Sequence, residues 1–158
     1  MLREFSPFGH LPAPRSQKSG ERSHRGVAQV LSVGQRGELL VAERLLEQGW
    51  SVALPLDTTT FDLVGVKGDR RVLLQVKSTL HKHDYENTTP HYQFQLAKGK
   101  SYKHKYEAGE LDYFICVALD SKRFWVFPFG KLDQFTVKVY DSNSRFREYE
   151  GAWELLEK

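Results

Sequence analysis

The sequence predicts a mixed α/β fold, a β-sheet flanked by helices, on three observations. Residues 34–48 place apolar side chains at helical spacing. Residues 61–79 read as a β-hairpin closed at Gly68-Asp69. Four later segments, 92–96, 112–119, 124–129 and 135–140, are apolar or alternating at strand length.

A chain of 158 residues, 40% hydrophobic and 13% aromatic, is long enough for one domain with a real core. The division read from it is a flexible basic N-terminal extension, residues 1–32, and a folded domain, residues 33–158. Residues 1–32 carry five basic residues (Arg3, Arg15, Lys18, Arg22, Arg25) against Glu4 and Glu21, while the other 126 hold 18 basic and 18 acidic residues. A basic extension on a neutral domain is compatible with a nucleic-acid partner, and equally with a solvated tail. The one cysteine, Cys116, excludes an intrachain disulfide and a cysteine-based zinc site. No apolar run approaches the roughly 18 residues of a membrane span. No signal-peptide core precedes the domain. A cytoplasmic, intracellular setting is expected, with no membrane partner.

The helix over 34–48 ends at Gly49. On a wheel of about 100° per residue, Leu39, Val41, Ala42, Leu45 and Leu46 share an apolar arc, and Glu38 falls near its middle. A carboxylate aimed into a core costs several kcal/mol unless paired or metal-bound. Glu38 therefore calls for Lys77 or a metal, or else reaches solvent early in the helix and complements its dipole. Residues 50–56 form a first strand ending near Pro55. In the hairpin, Lys67 faces Arg70, Val66 faces Arg71 and Val64 faces Leu73, which sets Asp62 opposite Gln75. Asp62, Gln75 and Lys77 then share one face, and an acid, an amide and an ammonium converge at the end of an apolar hairpin.

Residues 80–90 are polar and loop-like, with His81 and His83 as loop residues. Residues 92–96 alternate as a strand. In the segment 98–107, Lys98, Lys100, Lys103 and Lys105 lie among Tyr102 and Tyr106, which suits a phosphate-facing surface or a solvated helix. A buried strand over 112–119 turns into another over 124–129. A short helix follows over 130–134, then a strand over 135–140 and a short helix over 150–158 with Trp153 and Leu156 inward.

The order of a helix with Glu38, a strand, and a hairpin bearing Asp62 and Gln75-Val76-Lys77 resembles the PD-(D/E)xK nuclease superfamily. Its pattern is an acid on one hairpin strand, acid-x-Lys on the next, and often a Glu from the preceding helix. The match covers about residues 34–79. The stretches GQRGELLVAERLLEQGW, DLVGV and LLQVKST look most like a small subgroup that includes an intron-encoded homing endonuclease. Archaeal-type Holliday junction resolvases are similar at lower similarity. Two departures stand out: Gln75 occupies the place of the second acid, and Phe61 that of a frequent proline. An amide coordinates only through its neutral carbonyl oxygen, which weakens affinity for a hard cation.

The resemblance implies a restriction-endonuclease-like fold and a metal-dependent DNA endonuclease, site-specific in the homing or restriction manner. It also admits a structure-specific junction nuclease, or a catalytically inactive DNA-binding module. Glu38, Asp62, Gln75 and Lys77 are the implied catalytic residues. Glu38, Asp62, Gln75 and the Val76 carbonyl are the implied ligands of Mg²⁺ or Mn²⁺. Lys98, Lys100, Lys103 and Lys105 are the expected phosphate contacts on double-stranded DNA. A homo-oligomer, dimer or tetramer, is expected because a single site cuts one strand. The segments 124–129 or 150–158 are its expected contact.

Overall fold

Ser32 caps the first helix among the described residues. Its hydroxyl accepts from the Gln35 N–H at 3.2 Å while the Gln35 side chain accepts from the Ser32 N–H at 3.0 Å, a reciprocal cap that satisfies two otherwise orphaned donors. The computed structural model describes residues 30–57, 59–99, 101–142 and 145–158. Nearly all of the predicted N-terminal extension, and Lys100, lie outside the described residues.

Helix α1 (Val33–Glu47) buries Gly37, Val41, Ala42 and Leu45. Leu39 and Leu46, read as part of the apolar arc, are 49% and 59% exposed. The buried stripe is turned away from Leu39 and Leu46: it runs from Gly37 at one edge through Val41 and Leu45 to Ala42. A Cβ added at Gly37 would lie 1.8 Å from the Ser78 Oγ, so only glycine permits this close approach of helix to strand. Glu38, one residue on, falls between Leu45 and Ala42 around the helix and sits half-buried.

Among the described residues seven strands follow: β1 (Ser51–Ala53), β2 (Leu63–Lys67), β3 (Arg70–Thr79), β4 (His91–Gln95), β5 (Tyr113–Ala118), β6 (Arg123–Pro128) and β7 (Thr136–Tyr140). Five form a sheet in the order β1-β2-β3-β5-β6, and β4 pairs with β7 in a second. All pairings are antiparallel except β3 with β5. The β2–β3 register pairs Lys67 with Arg70, Val66 with Arg71 and Val64 with Leu73, as the sequence predicts. The turn is made by Gly68 at φ +57°, as a first-position glycine requires.

Two cores lie on opposite faces of the large sheet. On one face, Val41 and Leu45 of α1 pack on Val72, Leu74, Val76, Ile115 and Val117, with Trp153 and Leu156 closing the edge. On the other, Phe94 of β4 and Val137 and Val139 of β7 pack on Phe114, Cys116, Trp125 and Phe127. Successive residues of β5 alternate between the two cores, so every residue of this strand is buried.

Four expectations are corrected. The first strand spans only Ser51–Ala53; it pairs on one side alone, and Pro55 supplies no N–H to continue the ladder. The described residues of the segment 98–107 form no helix. Gly99 takes φ +90°, and Lys98 and His104 exchange backbone hydrogen bonds of 2.9 and 3.0 Å. Residues 130–134 form turns rather than a helix, since the Lys131 N–H bonds back to the Pro128 carbonyl at 3.2 Å. Finally, Phe124, Trp125, Val126 and Phe127 are core residues, as are Trp153 and Leu156 of the short 3₁₀ helix Trp153–Glu157, so these aromatics are not an association surface. No helix among the described residues is long and apolar enough to cross a membrane.

Candidate active site

The β2–β3 ladder ends at the pair Leu63 and Leu74. One residue earlier, the Asp62 N–H still donates to the Leu74 carbonyl at 2.8 Å. Beyond that point the strands part, and the Val76 N–H has no β2 carbonyl to meet. The Asp62 carboxylate takes the carbonyl's place: its Oδ2 accepts from the Val76 N–H at 2.7 Å and from the Gln75 side-chain amide. The chain thus locks a carboxylate in place with strand hydrogen bonds that its own divergence left open.

Gln75 is 7% exposed. Its amide nitrogen faces Asp62 and lies 3.4 Å from the Val76 carbonyl oxygen. In this arrangement Gln75 orients the Asp62 carboxylate and adds no charge of its own.

Glu38 reaches the same place from α1. Glu38 and Asp62 line one cleft with Leu54, Pro55, Asp57, Thr59 and Phe61. Burial, then the nearby Asp62 charge, holds the Glu38 carboxyl above its ordinary value. Burial raises Asp62 too, against the lowering effects of the Val76 N–H, the Lys77 charge and the Gln75 amide. Two half-buried carboxylates at one cleft, with the Asp62 charge disfavouring that of Glu38, form a site short of positive charge.

Lys77 supplies part of it. Burial lowers its pKa, Asp62 and Cys116 raise it, and the like charge of Lys103 lowers it. Its ammonium donates to the Tyr106 hydroxyl at 3.2 Å. The partner expected for Glu38 is therefore not Lys77 by direct ion pair: among the described residues no carboxylate bonds to Lys77.

The lysines of 98–105 separate into different environments. Lys98 donates to both carboxylate oxygens of Glu110 at 2.7 Å. Lys105 is paired with Asp133. Lys103 donates to the Gly99 carbonyl at 2.9 Å, and it is the one whose charge is felt at Lys77. His83 and His91 bridge through mutual backbone bonds with stacked rings 5.6 Å apart, and the described residues contain no cluster of three or more His, Cys, Asp or Glu placed to hold a metal.

Sequence reasoning missed Asp57 in the cleft wall and Tyr106 on Lys77. Asp57 reads as a linker residue, because nothing local shows that it lines a cleft with Glu38 of α1. Tyr106 carries no spacing signal, being 29 residues from Lys77.

The donor set fits a hard divalent cation. Mg²⁺ is commonly bound by one or two carboxylates, with waters and substrate phosphate completing its shell. Glu38, Asp62 and the Val76 carbonyl oxygen are such donors, and the cost that the Asp62 charge imposes on a charged Glu38 is what a cation would relieve.

A family model described as PD-(D/E)XK endonuclease matches residues 29–150. Among solved structures, the chain is similar to a bacterial homing endonuclease, I-Ssp6803I, with a TM-score of 0.63 and 24% identity, covering 78% of this chain and 90% of that one. At that identity the likeness shows the fold, which is the restriction-endonuclease-like one. No curated protein matches it.

Proposed function

The chain belongs to the PD-(D/E)XK endonuclease family, and from that premise we propose that it is a Mg²⁺- or Mn²⁺-dependent endonuclease of double-stranded DNA, site-specific in its cutting. The observation that carries this reading is the meeting of Glu38 and Asp62 at one cleft, with Lys77 close enough for its charge to act on Asp62. An ion pair decorating a sheet edge accounts for Asp62 and Lys77 but not for the half-buried Glu38. The fold likeness to a homing endonuclease supports the site-specific reading over junction cutting.

Each residue has a task in phosphodiester hydrolysis. Glu38, Asp62 and the Val76 carbonyl would hold the cation, which when bound supplies Lewis-acid polarisation and an activated water. Gln75 keeps Asp62 in the orientation that its two hydrogen bonds define. Lys77 places a positive charge where negative charge develops on the phosphoryl oxygens. Lys103 adds a second positive charge beside it.

The test is incubation with supercoiled, linear and four-way-junction DNA, with Mg²⁺ and with EDTA. Discrete Mg²⁺-dependent fragments from duplex DNA support the proposal, and cleavage confined to the junction favours a structure-specific nuclease. Binding without cleavage identifies an inactive DNA-binding module. Full activity in excess EDTA removes the metal.

A further inference from the structure

We propose that Tyr106 is the positioning residue of Lys77, holding its ammonium toward the scissile phosphate from a loop that Lys98 and Glu110 clamp in place. The proposal rests on the nuclease reading above.

A lysine ammonium rides on a flexible four-carbon stem with about 2 kcal/mol of rotamer entropy. A group that stabilises charge in a transition state acts only if it is already in place. Among the described residues, no carboxylate fixes Lys77. The group that does is neutral: Nζ donates to the Tyr106 hydroxyl at 3.2 Å and lies 5.4 Å from the centre of the ring. A neutral acceptor has a specific advantage here. A carboxylate would orient the ammonium but compete with phosphate for it, whereas a phenol oxygen orients it and leaves its charge available. Burial, with Asp62 and Glu110 adding to it, pushes the Tyr106 hydroxyl up to about 12, so it stays neutral at working pH.

The loop is built to keep that hydroxyl still. The Tyr106 ring stands edge-on to Phe114, centres 5.3 Å apart at 79°. Phe114 is paired across the parallel strands with Gln75, the partner of Asp62, so one strand junction sets both Asp62 and the wall behind Tyr106. Lys98 lies 5.5 Å from the Tyr106 ring centre while bonded to both oxygens of Glu110. The same Glu110 carboxylate accepts from the Glu107 N–H at 2.6 Å. Its backbone carbonyl accepts from the Thr60 hydroxyl at 3.2 Å, two residues ahead of Asp62. The loop is thereby tied at one end to the segment that leads through Asp62 into β2 and at the other to the tyrosine. Lys98 is committed to this clamp.

The test is single-turnover and steady-state cleavage of supercoiled plasmid and four-way-junction DNA, with Mg²⁺, by wild type, Tyr106→Phe, Lys77→Arg and their double variant. Tyr106→Phe keeps the ring against Phe114 and removes only the hydroxyl. It should lower kcat about tenfold while leaving KM within about twofold. In the Lys77→Arg background, where the ammonium is already replaced, the same substitution should have little further effect. Glu110→Gln, which loosens the clamp without touching the ring, should lower kcat in the same direction. A wild-type kcat for Tyr106→Phe in an active enzyme, or an equal factor in both Lys77 backgrounds, overturns the positioning role and leaves the nuclease reading standing. A wild type inactive on every DNA overturns both.

Discussion

At the residue scale, the site is a negotiation between two carboxylates and the groups around them. The Glu38 carboxyl is held above its ordinary value by burial and by Asp62, so the native state binds its proton more tightly than the unfolded chain. The sign follows from linkage: the charged form costs stability above the folded pKa, and that cost vanishes as pH falls below the unfolded one. Glu38→Gln should therefore raise the melting temperature of the metal-free protein at neutral pH, with the gain shrinking as pH drops into the carboxylate range. Thermal melts in EDTA across pH check this; a variant less stable than wild type at neutral pH defeats the account. Gln75 gives a second prediction. Its amide donates to Asp62, so Gln75→Glu replaces a donor with a like charge in a buried position. The expected loss is about 2 kcal/mol without metal, or roughly 4–8 °C in Tm for a chain of this size. Mg²⁺ should recover it by neutralising the added charge, and a Tm that ignores Mg²⁺ counts against a metal at this site. Asp62→Asn should abolish cleavage while DNA binding persists, and Lys77→Ala should cost about 10²–10³ in rate, both read in a plasmid cleavage assay alongside DNA binding.

At the element scale, the contact of α1 with β3 carries Glu38 to the cleft. Gly37 makes that contact possible, because a Cβ there would meet the Ser78 Oγ at 1.8 Å and its Cβ at 2.9 Å. Ser78 has a short side chain and cannot swing far, so the helix itself must shift. Gly37→Ala should cost about 1–3 kcal/mol and should reduce Mg²⁺ affinity by moving Glu38 away from Asp62. Denaturant unfolding together with a metal titration separates the two effects. Unchanged metal affinity in a destabilised variant shows that the contact serves packing alone. The same element explains a misreading of the helix: its hydrophobic arc includes Leu39 and Leu46, yet apolar side chains on a wheel do not reveal that a glycine, with no side chain, marks one edge of the buried stripe.

At the scale of the whole molecule, the question is where DNA phosphates lie. Lys98 and Lys105 are already paired with Glu110 and Asp133, so their removal uncovers an acid as well as deleting a base. Lys103 is paired with a backbone carbonyl and stands near Lys77. Lys103→Ala should reduce the log–log salt slope of DNA binding by about 0.9, measured by anisotropy over a salt series, and an unchanged slope rejects the contact. A homo-oligomer remains the expectation for cutting both strands. Its contact has to lie outside the 124–127 aromatics, which are internal. Light scattering that finds a monomer both free and on DNA removes the expectation.

The hairpin was legible in the residues because a Gly-Asp turn and period-two alternation set register locally, and register alone put Asp62 opposite Gln75 and on the same face as Lys77. The Glu38 signal was legible for a similar reason: a charge inside an apolar arc is a local anomaly. Other features were invisible because they depend on contacts distant in sequence. The parting of β2 and β3 turns Asp62 into the acceptor for a strand N–H. Phe114 arrives from the parallel strand β5 to brace Tyr106, and the clamp of Lys98 on Glu110 turns an apparent phosphate contact into a loop fastening. The sequence also offers the 124–129 run as an oligomer contact, whereas the stacking of β4 and β7 on the sheet's second face buries Trp125 and Phe127. Periodicity reports what a single element presents. Which neighbour covers it, and which charge is thereby left without a partner, is decided when the layers close.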